Sequence, residues 1–309
     1  MVEALMLWNE PNNLSHWDFQ LDKDWEIYSR LLKEAAAEVR RQAPGLRIVL
    51  GGISPIDPSF VRLLDSHGAL ENIDIVAVHG FPLDWNHWNI HEWPRQIESI
   101  KKACSHPVWV TEAGCSSFGA EEVQVFGLKT TAQLLLHRVE RLFWYSLMDL
   151  PPTWAATTRH RENEGSAYYR HYYMGLIRAD GNYKPAFYHF PAGMGICQWF
   201  HFDDHRLQPA IGYLHRLGVR KLRTGLSWAD WYRPGAEAWF DRQMSQLADF
   251  EITLTLCYTP EHFGILPVHN SPPLNTQEFA RFAGWVAQRY CRPKALPATA
   301  AADVDLQPV

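Results

Sequence analysis

The sequence lacks several features that would assign it to common protein classes. None of its 309 residues belong to an apolar run of about 18 residues, the length that a transmembrane helix needs. No basic stretch followed by an apolar segment opens the chain, so we expect no secretory signal. Lys and Arg number 29 against 34 Asp and Glu, a net charge of -5, whereas a nucleic-acid surface would be basic and clustered. We therefore expect a cytoplasmic protein with no membrane or nucleic-acid partner.

Motifs for disulfides, metals and bound phosphates are also missing. The five cysteines are an odd number without a CxxC pair, which is typical of reduced thiols. No GxSxG esterase motif is present, and "VLGGISP" is the nearest approach to a glycine-rich phosphate loop. His87 and His91 have the spacing of a zinc motif, but no Glu supplies its catalytic base. We expect neither a metal nor a cofactor.

Aromatic residues, by contrast, are abundant. The chain has 14 Trp, 12 Tyr and 15 Phe, and several Trp stand beside polar residues in "DWNHWNIHEW" and "SWADWYRP". A Trp ring can stack on the apolar face of a sugar while its N–H bonds a hydroxyl. Most of the Trp, taken one at a time, are explained by a large core. Together they indicate a carbohydrate cleft as an alternative to core packing.

Short apolar runs alternate with amphipathic helical segments along the chain, which predicts βα units and a parallel sheet. The predicted strands are "ALMLW", "LRIVLGG", "IDIVAVHGF", "PVWVTEAG", "RLFWYSLMD", "GICQWFHF", "VRKLRTGLSW" and "EITLTLCYTP". Eight such units match a (β/α)8 TIM barrel, and the missing phosphate loop disfavours a doubly wound open sheet. We expect one catalytic barrel over residues 1–293 and a flexible Ala- and Pro-rich tail over 294–309.

Two glutamates stand at predicted strand ends, where the chemistry of such barrels is found. Glu10 follows the first strand and precedes Pro11, and Glu112 ends the fourth strand. Paired carboxylates on rigid strands suit glycoside hydrolysis, in which one donates a proton and the other attacks the anomeric carbon. Arg223, inside an otherwise apolar strand, could keep one carboxylate ionised.

At this point the motifs resemble a known family. "LWNEPN" is similar to the acid/base segment on strand 4 of clan A retaining glycoside hydrolases, and "VWVTEAG" resembles their nucleophile segment on strand 7. "YYMGLIRADGNYKPAFYHF" looks like the run after strand 8 in β-xylosidase-like members of families 39 or 5. The resemblance implies a retaining β-glycosidase that acts on a carbohydrate, with Glu10 as the acid/base and Glu112 as the nucleophile.

The resemblance also implies roles for five further residues. Asn9 would bind the sugar 2-hydroxyl, Arg223 would orient the nucleophile, and His79 would line the cleft. Trp144 would form the floor of the sugar subsite, and Tyr258 stands where many members have a His.

Matched to that family, the strands run in the order 4-5-6-7-8-1-2-3, with strands 4–8 in residues 1–190 and strands 1–3 in residues 191–293. This order predicts a circular permutation. Strand "EALML" should then pair with "TLTLC", and Val2 should lie near Arg292. The alternative is that the last three units form a separate small domain.

Two other functions remain open from the sequence. A barrel without catalysis could bind a saccharide or a protein partner. A transglycosylase would share the covalent intermediate of a retaining glycosidase and transfer it to a sugar instead of water.

Overall fold

A computed structural model describes residues 2–151 and 170–291. Its eight strands are β1 (Val2–Leu7), β2 (Arg47–Ile53), β3 (Ile75–Gly80), β4 (Val108–Ala113), β5 (Leu142–Tyr145), β6 (Gly195–Cys197), β7 (Lys221–Ser227) and β8 (Glu251–Cys257). Neighbouring strands pair in parallel all the way round and close into a barrel. The predicted (β/α)8 TIM barrel is confirmed.

Helices separate most of the strands. They are α1 (Glu26–Gln42), α2 (Pro58–Ser66), α3 (Trp93–Lys101), α4 (Glu121–Leu135), α5 (Leu207–Arg216), α6 (Trp228–Trp231), α7 (Ala236–Gln246) and α8 (Thr276–Tyr290), with 3₁₀ turns at Ile90–Glu92 and Pro185–His189. None of the helices in the described part of the chain is long and apolar enough to cross a membrane.

The strands follow one another around the barrel in sequence order. Strand β1 pairs with β8 through Ala4↔Thr253 and Leu7↔Leu256, so the expected pairing of "EALML" with "TLTLC" is present. A closed barrel whose strands follow the chain has this pairing wherever the chain starts, and no permutation is shown. Arg292, which should lie near Val2, falls outside the described residues.

The core has two layers, as expected for strands whose side chains alternate between the barrel interior and the helices. A small interior cluster contains Met6, Val49, Ala77 and Trp109, and a much larger cluster packs the outer strand faces against the helices. Helices α1 and α8 approach closely beside the β1–β8 pair, because the Cβ that Gly284 lacks would come within 2.5 Å of Glu38.

Charged residues cover the end of the barrel at which the strands begin. Arg141 bonds Glu3 on β1 at 2.5 Å and Glu251 on β8 at 3.0 Å, and thus links the two strands of the closing pair. Arg47 bonds Glu140 at 2.6 Å. These pairs lie at the end opposite to the strand ends that carry the two glutamates.

Candidate active site

Glu10, His79 and Glu112 meet at the carboxyl end of the barrel. One side-chain oxygen or nitrogen atom from each lies within 4.8 Å of the others. Glu10 and Glu112 are 7% and 8% exposed, and His79 is fully buried. The two glutamates, 102 residues apart in sequence, are therefore brought into one small, largely buried site.

A β-bulge in β4 aims Glu112 into this site. Strand β4 pairs with β3 through Val78↔Val110 and then His79↔Glu112, so Thr111 is the additional residue. A bulge re-aims the side chains that follow it. Thr111 and Glu112 can thus both contact the His79 ring region.

Glu10 lies on a backbone that L-amino acids rarely adopt. Its φ is 42°, and that of Trp8 two residues earlier is 70°. The fully buried Trp8 holds this turn, since its Nε1 donates to the His16 carbonyl at 3.0 Å and its ring packs edge-on against Trp17 at 5.1 Å. Such conformations cost about 1–3 kcal/mol each and cluster at functional sites, where the surrounding structure holds them.

His79 connects the two sides of the site. Its Nδ1 donates to Glu10 Oε1 at 2.7 Å and lies 3.7 Å from Glu112 Oε2, while Nε2 accepts from the Thr111 hydroxyl at 2.9 Å. Burial lowers the pKa of His79 to about 3. The ring is therefore neutral near pH 7. Gly52 leaves room for it, because a Cβ at this position would lie 1.9 Å from His79 Nε2.

The remaining partners of Glu10 are also uncharged. Asn13 Nδ2 donates to Glu10 Oε2 at 2.8 Å, and His16 Nδ1 lies 3.5 Å from the same oxygen. Burial lowers the pKa of His16 to about 4, so this ring too is neutral near pH 7. Glu10 thus has no cationic partner among the contacts described.

Glu112, by contrast, contacts a cation. Arg223 on β7 is 3% exposed, and its Nη1 donates to Glu112 Oε1. The same guanidinium donates to Asn9 Oδ1 at 2.6 Å and to Cys197 Sγ at 3.0 Å. Arg223 therefore fixes Glu112 and Asn9 together.

Tyr258 follows β8 and borders both glutamates. Its φ is 73°, its ring stacks on His16 at 6.3 Å, and Trp199 lies edge-on to it at 5.7 Å. Burial raises the pKa of the Tyr258 hydroxyl well above its usual value, with the nearby Glu112 and Glu10 carboxylates adding to the effect. The structure thus brings Asn9, His79, Arg223 and Tyr258 to the two glutamates.

Trp144 does not offer the sugar platform that the sequence interpretation requires. It is fully buried and belongs to the core cluster that packs against the helices. Tyr145, the next residue, faces the other way because side chains alternate along a strand. Its half-buried ring lies edge-on to Phe81 at 5.9 Å, and its hydroxyl is 3.2 Å from His171 Nε2.

The sequence interpretation placed Thr111 at a strand end without a role, and it missed Asn13 and His16. Thr111 precedes Glu112 in "VTEAG", and the other two follow Glu10 in "NEPNNLSH". Polar residues crowded beside a strand-end glutamate were the available signal. Their contacts depend on the bulge in β4 and on the turn at Glu10, which no spacing rule predicts.

One group of three possible metal ligands occurs among the described residues, and it is Glu10, His79 and Glu112. Arg223 places a fixed positive charge against Glu112, which opposes a further cation at that position. His87 and His91, whose spacing suggested a metal motif, do not belong to this group.

Comparisons with known proteins bear on the family. No curated protein matches the chain. One of several solved structures that match is that of two fungal beta-1,4-galactanases, with 11% identity over 91% of this chain and 87% of that chain. Its TM-score of 0.37 is too low to support an argument.

A match to a protein-family model identifies the family. The family described as the glycosyl hydrolase catalytic core matches residues 1–166, which include Glu10, His79 and Glu112. This match covers more than half of the 309 residues. The chain therefore belongs to the glycosyl hydrolase catalytic core family.

Proposed function

We propose that this protein is a retaining β-glycosidase in which Glu10 is the acid/base and Glu112 the nucleophile. The observation that carries the proposal is the approach of their side-chain oxygens to within 4.8 Å. Retaining glycosidases hold the two carboxyl groups about 5–5.5 Å apart, whereas inverting enzymes need about 6.5–9.5 Å to admit a water molecule.

The surroundings of the two glutamates support this division of roles. Arg223 stabilises a negative charge on Glu112, as an attacking carboxylate requires. Glu10 has neutral partners, His79, Asn13 and His16, and the Glu112 anion lies beside it. These surroundings suit Glu10 for proton transfer and Glu112 for attack as an anion.

The reaction then proceeds in two steps. A Glu112 oxygen attacks the anomeric carbon while Glu10 gives its proton to the leaving oxygen, and the glycosidic bond breaks. Glu10 next removes a proton from water, the hydroxide attacks the anomeric carbon, and the ester bond to Glu112 breaks. Arg223 donates to the side-chain oxygen of Asn9, so the Asn9 NH₂ group is directed to donate to the sugar 2-hydroxyl.

Azide rescue separates the two roles. With an aryl β-glycoside, we expect Glu112→Gly to lose turnover and azide to restore it, yielding the glycosyl azide of inverted configuration. Glu10→Gly should form the glycosyl-enzyme and then give the azide of retained configuration, because two displacements have occurred. Gln20→Ala, an exposed substitution outside the site, serves as the control.

Three results would count against the proposal. Reversed azide configurations would exchange the roles of the two glutamates. Wild-type protein that turns over no β-glycoside but binds saccharides would favour a barrel without catalysis. A sugar acceptor that captures most of the intermediate would instead identify a transglycosylase.

We also propose that the chain carries the circularly permuted strand order. In support, Glu10 follows the first strand and Glu112 lies on the fourth, a separation of three units. The fourth and seventh strands, which carry the two glutamates in the retaining family that the chain resembles, are also three units apart. Superposing Glu10 and Glu112 on that family's pair in an experimental structure should align all eight strands after a three-unit rotation. Failure of β6, β7 and β8 to align would refute it.

A further inference from the structure

A cavity of about 630 Å³ opens beside Glu10. Its walls come from the segments that follow β1, β2 and β3, and include Asn12, Asn13, Trp85, Asn86, Trp88 and Gln96. Asn13 also donates to Glu10 Oε2 at 2.8 Å, so the cavity adjoins the outer oxygen of that carboxyl group. Its volume lies within the range of about 300–1,000 Å³ that ligand pockets have. We call it the loop cavity.

The loop cavity presents unused hydrogen-bonding groups. Within residues 2–151 and 170–291, no partner occurs for the indole N–H of Trp85 or Trp88, for the Asn86 NH₂, or for the Gln96 amide. The Asn86 carbonyl oxygen is held by the Phe81 N–H at 2.6 Å, which orients the amide. Indole rings and free amides together suit a sugar, since rings pack on its C–H faces and amides bond its hydroxyls.

A larger cavity, of about 830 Å³, has a different character. Four of its five charged side chains form ion pairs with one another: Lys184 Nζ lies 2.6 Å from Asp149, and Arg178 lies 2.5 Å from Glu121. It also contains no residue that touches Glu10 or Glu112 in the described contacts. The loop cavity is therefore the better candidate for a part of the substrate.

We propose that the loop cavity is the site of the leaving-group sugar, and that Gln96 and Trp88 determine its binding. This inference rests on the proposed function. Glu10 protonates the leaving oxygen, so the leaving group must lie on the Glu10 side of the anomeric carbon. Arg223 and Asn9 lie on the Glu112 side, which leaves that side for the ring that becomes attached to the enzyme.

The same cavity then receives the group that attacks in the second step. Either water or a sugar hydroxyl passes its proton to Glu10 there, and the ester bond to Glu112 breaks. A substrate whose leaving group is a sugar is thus favoured over one with a small leaving group. This selects β-linked di- and oligosaccharides as the substrate class.

The test compares two substrates that share one glycone. A β-glycosyl fluoride has no leaving-group sugar, and a β-linked disaccharide has one; the glycone is chosen by screening fluorides with the wild-type protein. For the disaccharide, Gln96→Ala should lower kcat/KM about fivefold to tenfold, the effect of one hydrogen bond. Trp88→Ala should lower it by at least as much, and both should leave kcat/KM for the fluoride unchanged within twofold. Gln20→Ala, an exposed Gln outside the cavity, should change neither.

The outcomes separate the inference from the proposed function. If wild-type protein hydrolyses no fluoride, the proposed function fails. If it hydrolyses the fluoride but the variants lose nothing on the disaccharide, or lose equally on both substrates, the proposed function stands and the loop cavity does not hold the leaving group. A smaller amount of folded enzyme lowers both values of kcat/KM by the same factor, so the ratio of the disaccharide value to the fluoride value decides. A ratio equal to that of the wild type counts against the loop cavity.

Discussion

Acidification should destabilise this barrel through a histidine that the fold keeps uncharged. His79 is fully buried and hydrogen-bonded at both ring nitrogens, to Glu10 and to Thr111. Burial lowers its pKa from 6.5 to about 3. In the unfolded chain the ring takes up a proton as the pH falls through 6.5, whereas in the folded protein it stays neutral until about pH 3. The unfolded state therefore binds more protons in this window, and stability falls as the pH falls.

The size of the effect follows from the shift. One pKa unit corresponds to about 1.4 kcal/mol, so lowering the pH from 6.5 to 5 should cost about 2 kcal/mol through His79 alone. The full effect, about 5 kcal/mol, would be reached only near pH 3. His16, whose pKa burial lowers to about 4, adds a loss of the same sign over a narrower window.

Urea unfolding at a series of pH values between 5 and 6.5 measures this effect. In His79→Asn the slope of the unfolding free energy against pH should be smaller than in the wild type by up to about 1.4 kcal/mol per pH unit. The slope is informative even though the variant is less stable overall. His87→Asn, which replaces an exposed His, is the matched control and should keep the wild-type slope. An unchanged slope in His79→Asn would refute the neutral, buried state of His79.

Two further predictions concern packing and charge. Gly52→Ala should displace the His79 ring, because its Cβ would lie 1.9 Å from Nε2, and should lower kcat at least tenfold. Gly212 lies on a helix, and a Cβ there would meet no atom within 4 Å. Gly212→Ala should therefore keep kcat and raise the free energy of unfolding by about 0.5–1 kcal/mol. Equal kcat in both variants would contradict the packing argument. Lys184→Met should destabilise the fold by about 3–5 kcal/mol, because it leaves Asp149 buried without its cation, and thermal unfolding at pH 7 would show this as a lower Tm. A change below 1 kcal/mol would mean that Asp149 takes up a proton at little cost, in keeping with a pKa that burial already raises to about 6.

The sequence predicted the barrel because each strand has a local signature. Runs such as "IVL" and "LTL" are buried on both faces in a parallel barrel, and turn residues bound them. The strand ends could then be read directly, and they placed Glu10, Glu112 and Arg223 in one site. The contacts among these residues in the structure agree with that placement.

The details that the sequence did not predict depend on register. The interpretation assigned the floor of the sugar subsite to Trp144 and gave Tyr145 no role, and in a strand a shift of one residue moves a side chain to the opposite face. Strand β6 covers Gly195–Cys197, and the Gln198 side chain that follows it accepts a hydrogen bond from the Met148 N–H at 3.1 Å. Such contacts come from residues far away in the chain, and no local pattern records them.

The left-handed backbone at Glu10 has a consequence for engineering. Its φ of 42° is one that glycine adopts freely and that costs other residues free energy. Replacing Glu10 by glycine therefore relaxes the main chain while it removes the proposed acid/base. A screen for heat resistance alone would therefore favour variants without the acid/base, so a screen of this barrel must measure turnover together with the fraction of protein that stays folded on heating.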